Sequence, residues 1–407
     1  MRARSARRVR VRCTGSPYHG CRAARSEGRV PSSGRVIPPP PDLTLPRAGV
    51  PTLRAALSAA LKRLAQDLGR LPLASLSPDA RATLTHVLRA TKAELAREPG
   101  RVFGVLRRPN VGAALRVLRE RADDAIARQL AATLAVELAA AGAELPALRF
   151  EGLPPEIVCL GARRALPGGD ATLARGEWSG RAILDHPSPF TEIEGGIVLA
   201  EVDDNPLSML EAHPDKLGNA IDLGGRDAET WADALREALG LIAEHTPALR
   251  ETIALLVHQI VPVGYDAEQH LSASYREALG TLYLTLHPSP LTMAEALIHE
   301  TQHNVLNAVF ELDPLLENAF SPLFSSPVRP DPRPLHGVLL AVHAFLPVAE
   351  LHRRMAEAGH PLSKTPEFAR RVERVREGNR EGAAVLLENA APTAIGRALL
   401  DEIARLV

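Results

Sequence analysis

One stretch of the chain, His299-Glu300-Thr301-Gln302-His303, places residue types that ligate metals at a spacing that lets them act together. Residues four apart lie one above the other on an α-helix. His299 and His303 can therefore present two imidazole nitrogens to one ion, while Glu300 points beside the metal and not into it. The surrounding residues support a helix over 291–312: Leu297, Ile298, Val305, Ala308, Val309 and Leu312 recur at helical spacing, and Thr292 with Glu295 predicts a capping box at its start. The bland alternative is a pair of solvated polar residues on an amphipathic helix.

A stable site with open coordination positions needs a third protein ligand. Residues 335–358 read as a second helix, opened by Pro334 and closed by Gly359, which offers His336, His343, Glu350 and His352. His336, His343 and Glu350 are seven apart and share a face, so spacing alone leaves the choice open. Pro347 favours His343, because it removes the hydrogen bond to the carbonyl of residue 343, and such irregularities recur at functional sites. A histidine packed in the core is the competing reading for His343. Between the two helices, residues 325–334 alternate proline with other residues and read as a stiff loop that would hold Arg329 and Arg333 in place. A fixed guanidinium near a metal suits a carboxylate clamped by two parallel hydrogen bonds; the alternative is pairing with surface acids.

The elements that must position these groups form a mostly helical α+β chain. Residues 50–145 show leucine periodicity with few β-branched clusters and predict an α-helical region. From residue 148 short apolar runs at 157–160, 182–184 and 196–202 alternate with Gly and Pro and predict strands and loops. Helices are expected over 228–244 and 248–261, and a strand over 280–286 with Tyr283 among apolar neighbours. The organisation read from this is an Arg/Pro-rich tail over 1–45, a helical region over 46–147, a metallopeptidase-like α+β domain carrying the HExxH helix over 148–360, and C-terminal helices over 361–407.

Composition bounds the function. The 407 residues carry 48 basic and 48 acidic side chains, but ten arginines and one acid lie in 1–36, so 37–407 has a net charge of −9. An acidic body argues against a nucleic-acid surface, and the tail reads as a disordered extension or a start placed too far upstream. The longest apolar window, 337–351, is broken by His343, Pro347 and Glu350, so no membrane span is expected. Cys13, Cys21 and Cys159 make no disulfide framework or thiolate cluster, as expected in the cytoplasm.

Several segments together resemble one family. Leu199-Ala200-Glu201-Val202-Asp203-Asp204-Asn205-Pro206, Glu211-Ala212-His213-Pro214-Asp215-Lys216 with Gly218-Asn219, Ser274-Tyr275-Arg276-Glu277-Ala278-Leu279-Gly280, the HExxH helix, and Arg329-Pro330-Asp331-Pro332-Arg333-Pro334 are similar to the HExxH-type, α-ketoglutarate-dependent peptide β-hydroxylases. These modify ribosomally made precursor peptides. The resemblance spans roughly 150–358, about half the chain. It implies Fe(II) held by His299 and His303 and α-ketoglutarate gripped through its distal carboxylate by Arg329 or Arg333; His343, favoured by Pro347, departs from the family pattern and stays the candidate third ligand on the helix reading alone, with Glu300 beside the metal. The resemblance also implies dioxygen and a precursor peptide as co-substrates. The strand over 280–286 would offer its edge to an extended peptide, by analogy with HExxH peptidases. Two other readings compete: a zinc metallopeptidase with Glu300 as general base, and a non-catalytic peptide-binding partner in a biosynthetic complex.

Overall fold

The computed structural model describes residues 42–184, 186, 188–210, 212–213, 216–326 and 329–407. The Arg-rich tail, the proline run at 38–41 and the motif residues Glu211, Pro214 and Asp215 lie outside them. The chain is mostly α-helical with a smaller β component. Five helices come first: α1 (Pro51–Asp67), α2 (Pro78–Arg97), α3 (Pro99–Leu106), α4 (Pro109–Glu120) and α5 (Asp124–Ala140). Four of them start on proline, whose missing N–H is an orphan in the first turn anyway. Small antiparallel pairings follow, among β1 (Leu148–Phe150), β2 (Glu156–Cys159), β3 (Arg164–Pro167), β4 (Ala171–Ala174) and β5 (Glu177–Gly180). Leu64, Leu84, Leu115 and Leu130 of the helices share one core with Phe150 and Ile157 of these strands.

The second half is built on a five-stranded sheet. Its strands are β6 (Phe190–Glu194), β7 (Ile197–Ala200), β10 (Gln259–Tyr265), β11 (Ser272–Ala273) and β12 (Thr281–Leu286), in the order β11-β12-β10-β7-β6. A short pairing of β8 (Ala212–His213) with β9 (Lys216–Leu217) precedes helices α6 (Ala228–His245) and α7 (Pro247–Leu256). The central strands β7, β10 and β12 run parallel and β12 is buried throughout, as expected when both faces of a sheet are covered. On one face Leu199, Ile260, Leu282 and Leu284 meet Trp231 of α6 and Leu297 of α8 (Pro290–Phe310). On the other, Val261, Tyr275 and Tyr283 meet Ala113 of α4. The hairpin β13 (Leu323–Ser326) and β14 (Arg329–Pro334) leads into α9 (Leu335–Glu357), followed by α10 (Pro366–Asn389) and α11 (Ala394–Leu406). Backbone amides of Leu43, Thr44 and Leu45 donate to the Glu402 carboxylate at 3.0–3.1 Å, which ties the first described residues to α11.

Five expectations change. The helix expected over 248–261 ends at Leu256 and the chain re-enters the sheet as β10, because a parallel strand buried on both faces is apolar throughout and lacks the alternation that marks a strand in sequence. Residues 182–184 form no strand, and Ile183 is exposed. The capping box of Thr292 and Glu295 does not form. The helix begins earlier, at Pro290, with Ser289 accepting from the Thr292 amide at 3.3 Å, while Glu295 pairs with His352 and Arg371. The strand 280–286 is no edge, since β11 pairs with its outer side at Ser272↔Leu284 and Ala273↔Tyr283. The stiff loop 325–334 is largely a two-stranded ribbon: a proline costs no ladder bond where its nitrogen faces outward from an edge strand.

Of the described helices, only α9 is long and apolar enough to cross a membrane, and 67% of its apolar window is buried inside the fold. Its partners there are α8 and α10.

The C-terminal end of α8 is anchored by charge. Glu311, 3% exposed, meets Arg116 at 3.2 Å and Arg119 at 3.1 Å, both from α4, and Arg276 at 3.6 Å. Burial alone would raise its pKa, but Arg116, Arg119 and Arg276 hold it below the usual carboxylate range. We expect Glu311→Gln to lower unfolding stability by about 3–5 kcal/mol, because it strands a buried guanidinium. A carboxylate with a depressed folded pKa stabilises above its unfolded pKa, and that contribution fades as pH falls through the folded value. Urea unfolding followed from neutral to acid pH should therefore show the wild type and variant converging at low pH.

Candidate metal centre

Helix α8 is buried along most of its length, and His299 and His303 are partly exposed on either side of the buried Glu300. His299 Nε2 and His303 Nε2 lie 2.9 Å apart with their rings nearly perpendicular. One carboxylate oxygen of Glu300 and these two nitrogens all fall within 4.8 Å of one another. Glu300 is 2% exposed; its Oε1 accepts from the Ser272 hydroxyl of β11 at 2.6 Å, and its Oε2 is buried without a hydrogen-bond partner. The Phe345 ring of α9 packs 4.6 Å from the His299 ring and closes one side of the group.

Two further bonds fix the helix against the sheet. Asn304, fully buried, donates to the Glu300 carbonyl at 2.9 Å and accepts from the Gly280 amide at 2.7 Å, at the start of β12. Gly280 has φ +101°, and a Cβ there would meet Leu256 O and His258 at 2.8 Å, so the approach requires glycine.

Electrostatics favour neutral ligands. Burial pushes the His299 pKa well below its ordinary value, and the neighbouring His303 and His270 lower it further. Burial also lowers His303, against a counter-pull from Glu300. Neutral imidazoles are the form that binds a metal, and desolvation supplies them without a competing proton.

Three other histidines surround the pair. His343 is 0% exposed and has its pKa pushed down to about 3 by burial and by His303, against a pull upward from the Leu43 backbone. His336 stacks between Phe310 and Phe320 at 4.7 and 5.1 Å, with burial lowering its pKa to about 4. His270, just upstream of β11, is brought near His299 and Glu300 by tertiary packing; burial lowers its pKa to about 4 although Glu300 pulls it up. None of the three belongs to the 4.8 Å group, so the structure brings together His299, Glu300 and His303 and leaves His343 beside them. Glu350 is removed from consideration as a ligand. It forms surface ion pairs with Arg353 at 2.7 Å and Arg354 at 2.8 Å, since helical side chains three and four apart meet each other. His352 is taken by Glu295 at 2.6 Å.

Arg333 stands opposite Phe324 in the hairpin and folds its side chain over Gly337 in the first turn of α9. The side chain of Arg329 lies outside the described residues; its backbone pairs with Ser326. The motif residues upstream build a support. The Tyr283 hydroxyl donates to Asp203 Oδ2 at 2.8 Å and accepts from Asn205 at 3.0 Å, and Asn219 donates to the Tyr275 hydroxyl at 2.6 Å. Ser272 and His270 escape sequence reasoning, because neither sits at a recognisable spacing from the HExxH turn; the hydroxyl reaches Glu300 only through the pairing of β11 with β12.

The donors fit a metal. Two imidazoles hydrogen-bonded to each other at 2.9 Å, with a carboxylate oxygen in the same 4.8 Å group, are ligand types that such an ion would take. The unpartnered Glu300 Oε2 is a further buried polar atom that an ion or its water would satisfy. No known protein-family model matches this chain, and no curated protein does.

We expect His299→Ala and His303→Ala each to weaken Co(II) binding, measured calorimetrically near pH 7, by more than about 100-fold, beyond the range for a lost supporting contact. His343→Ala should fall comparably, with His336→Ala and His270→Ala changing affinity by tenfold or less. Full affinity in His343→Ala would move the third ligand elsewhere.

Proposed function

We propose that the protein is a non-haem iron oxygenase that uses α-ketoglutarate and dioxygen to hydroxylate a ribosomally made peptide, on an HExxH helix of the kind metallopeptidases use. The observation that carries this reading is the His299–His303 pair, one helical turn apart with Nε2 atoms 2.9 Å from each other and a Glu300 carboxylate oxygen in the same 4.8 Å group. The resemblance of the motif set over roughly 150–358 selects among the chemistries that such a pair permits.

Iron(II) bound there, with α-ketoglutarate and dioxygen, supplies the insertion of one oxygen atom into a C–H bond. His299 and His303 hold the ion, and His343 is the candidate third ligand. Glu300, oriented by Ser272, keeps one carboxylate oxygen toward the same space and can accept a hydrogen bond from a bound molecule. Arg333, at the entry to α9, is the proposed clamp for the distal carboxylate of α-ketoglutarate, with Arg329 as the alternative. The Phe345 ring packs against the His299 ring and restricts its orientation. With β12 internal to the sheet, hydroxylation at a β-carbon rests on the resemblance alone.

A second reading has one observation in its favour. Glu300 Oε2 is unpartnered and one oxygen of this carboxylate lies in the group formed with the two imidazoles, which is where a zinc peptidase keeps its general base.

Co-expression with a precursor peptide encoded beside it should yield an intact peptide heavier by about 16 Da, with succinate formed in equal amount, and only with iron, dioxygen and α-ketoglutarate present. Peptide cleaved with zinc in the absence of oxygen would replace this reading with the peptidase. Arg333→Ala should weaken α-ketoglutarate by about 2–4 kcal/mol while iron binding holds; an unchanged requirement would place the clamp elsewhere.

A further inference from the structure

A cavity of about 680 Å³ lies among α9, α10, the end of α11 and the first described residues. Leu45, Leu346, Phe368, Val372 and Leu406 give it an apolar wall, and three helices bring arginines to it: Arg353 of α9, Arg376 and Arg380 of α10, and Arg405 of α11. Its acidic side chains, Glu350 and Glu357, are both engaged. Glu350 pairs with Arg353 at 2.7 Å and with Arg354 at 2.8 Å, and Glu357 pairs with Arg353 as well. Arg376, Arg380 and Arg405 are left. None of these three exposed guanidiniums has an acidic oxygen within 4.0 Å among the described residues, the Val407 terminus included.

Exposed arginines alone mark nothing, since water solvates them well. The group that points to a ligand is Asn379, which stands between Arg376 and Arg380 on α10. It is 4% exposed and lines the cavity. Its carboxamide makes no hydrogen bond among the described residues, and neither of its polar atoms is sealed from solvent. A buried amide without partners forgoes free energy that a bound molecule returns. A carboxamide offers donors and an acceptor side by side, so its best counterpart is another amide. The cavity thus asks for an amide at Asn379, an apolar group against Leu346, Phe368 and Leu406, and negative charge at the exposed arginines. A polypeptide segment whose acids flank an apolar residue meets all three, in the usual arrangement of an apolar centre and a charged rim. The chain's own tail does not, because residues 1–36 carry ten arginines against one acid.

We propose that this cavity docks an acidic segment of another polypeptide. Arg376, Arg380 and Arg405 take its carboxylates, Asn379 pairs with one of its amides, and the wall of α9 and α10 receives the apolar side chain between the acids. The site shares α9 with the metal centre, His343 lying one turn before Leu346. That the docked polypeptide is the one modified at α8 rests on the function proposed above; the contact would then hold the substrate by a part remote from the reacting carbon.

The test titrates the full chain by calorimetry at low salt with a blocked hexapeptide of alternating glutamate and leucine, and with its isostere carrying glutamine for each glutamate. The glutamate peptide should bind more tightly by about tenfold, and that preference should shrink at high salt because the arginines are exposed. A variant carrying both Arg380→Gln and Arg405→Gln should lose the preference. Asn379→Ala should weaken both peptides alike, by about tenfold, with the thermal unfolding midpoint confirming a folded variant. Equal affinity for the two peptides, no binding of the glutamate peptide, an undiminished preference in the double variant, or full affinity in Asn379→Ala overturns the proposal. Inorganic phosphate that binds through these arginines while the glutamate peptide does not overturns it in favour of a small-anion site. Self-association in sedimentation that the double variant abolishes, without peptide binding, overturns it in favour of a second copy of the chain. His299→Ala should leave peptide binding unchanged, so a failed oxygenation assay and a failed titration are separate results.

Discussion

Everything at the candidate metal centre depends on one constraint: α8 must be buried along most of its length and yet carry an imidazole pair and a carboxylate on a single turn. Its apolar positions, such as Met293, Leu297 and Leu306, join two of the cores of the molecule. Polar residues among them need internal partners, because water cannot reach them. Asn304 satisfies Gly280 and the Glu300 carbonyl, Ser272 satisfies one oxygen of Glu300, and Glu311 is neutralised by arginines of α4. The unsatisfied atoms of this helix, both histidine Nδ1 atoms, Glu300 Oε2, Thr301 Oγ1 and Gln302 Oε1, all fall within the HExxH turn.

The same burial sets the charge state of the histidines. Desolvation is the largest influence on His270, His299, His303, His336 and His343, and it acts on all five in the same direction. A cluster of imidazoles this close would repel if protonated, so the fold holds them as neutral bases. Glu300 is the acid that opposes this for His303 and His270. The sheet separates this basic interior from the Asp203 carboxylate beyond β7, since alternate residues of β12 face opposite ways: Leu282 and Leu284 toward α8, Tyr283 toward Asp203.

The sequence by itself determined the helical region of α1 to α5, the long HExxH helix and the bounds of α9, because each has the 3.6-residue apolar period or a chemical stop, Pro334 before α9 and Gly359 after it. It also marked His299, Glu300 and His303, whose proximity is a property of one helical turn. Tertiary structure decided what depends on contacts between distant segments. β10 reads as helix until the sheet claims it, and β12 reads as an edge until Ser272 and Ala273 cover it. Glu350 shares a face with His336 and His343 by spacing, yet it turns to Arg353 and Arg354 because ion pairing in solvent is open to it and burial beside α8 is not. His270 and Ser272 reach Glu300 across a strand pairing that leaves no periodic trace, and the neutral state of the histidines follows from desolvation, which only the packed fold creates.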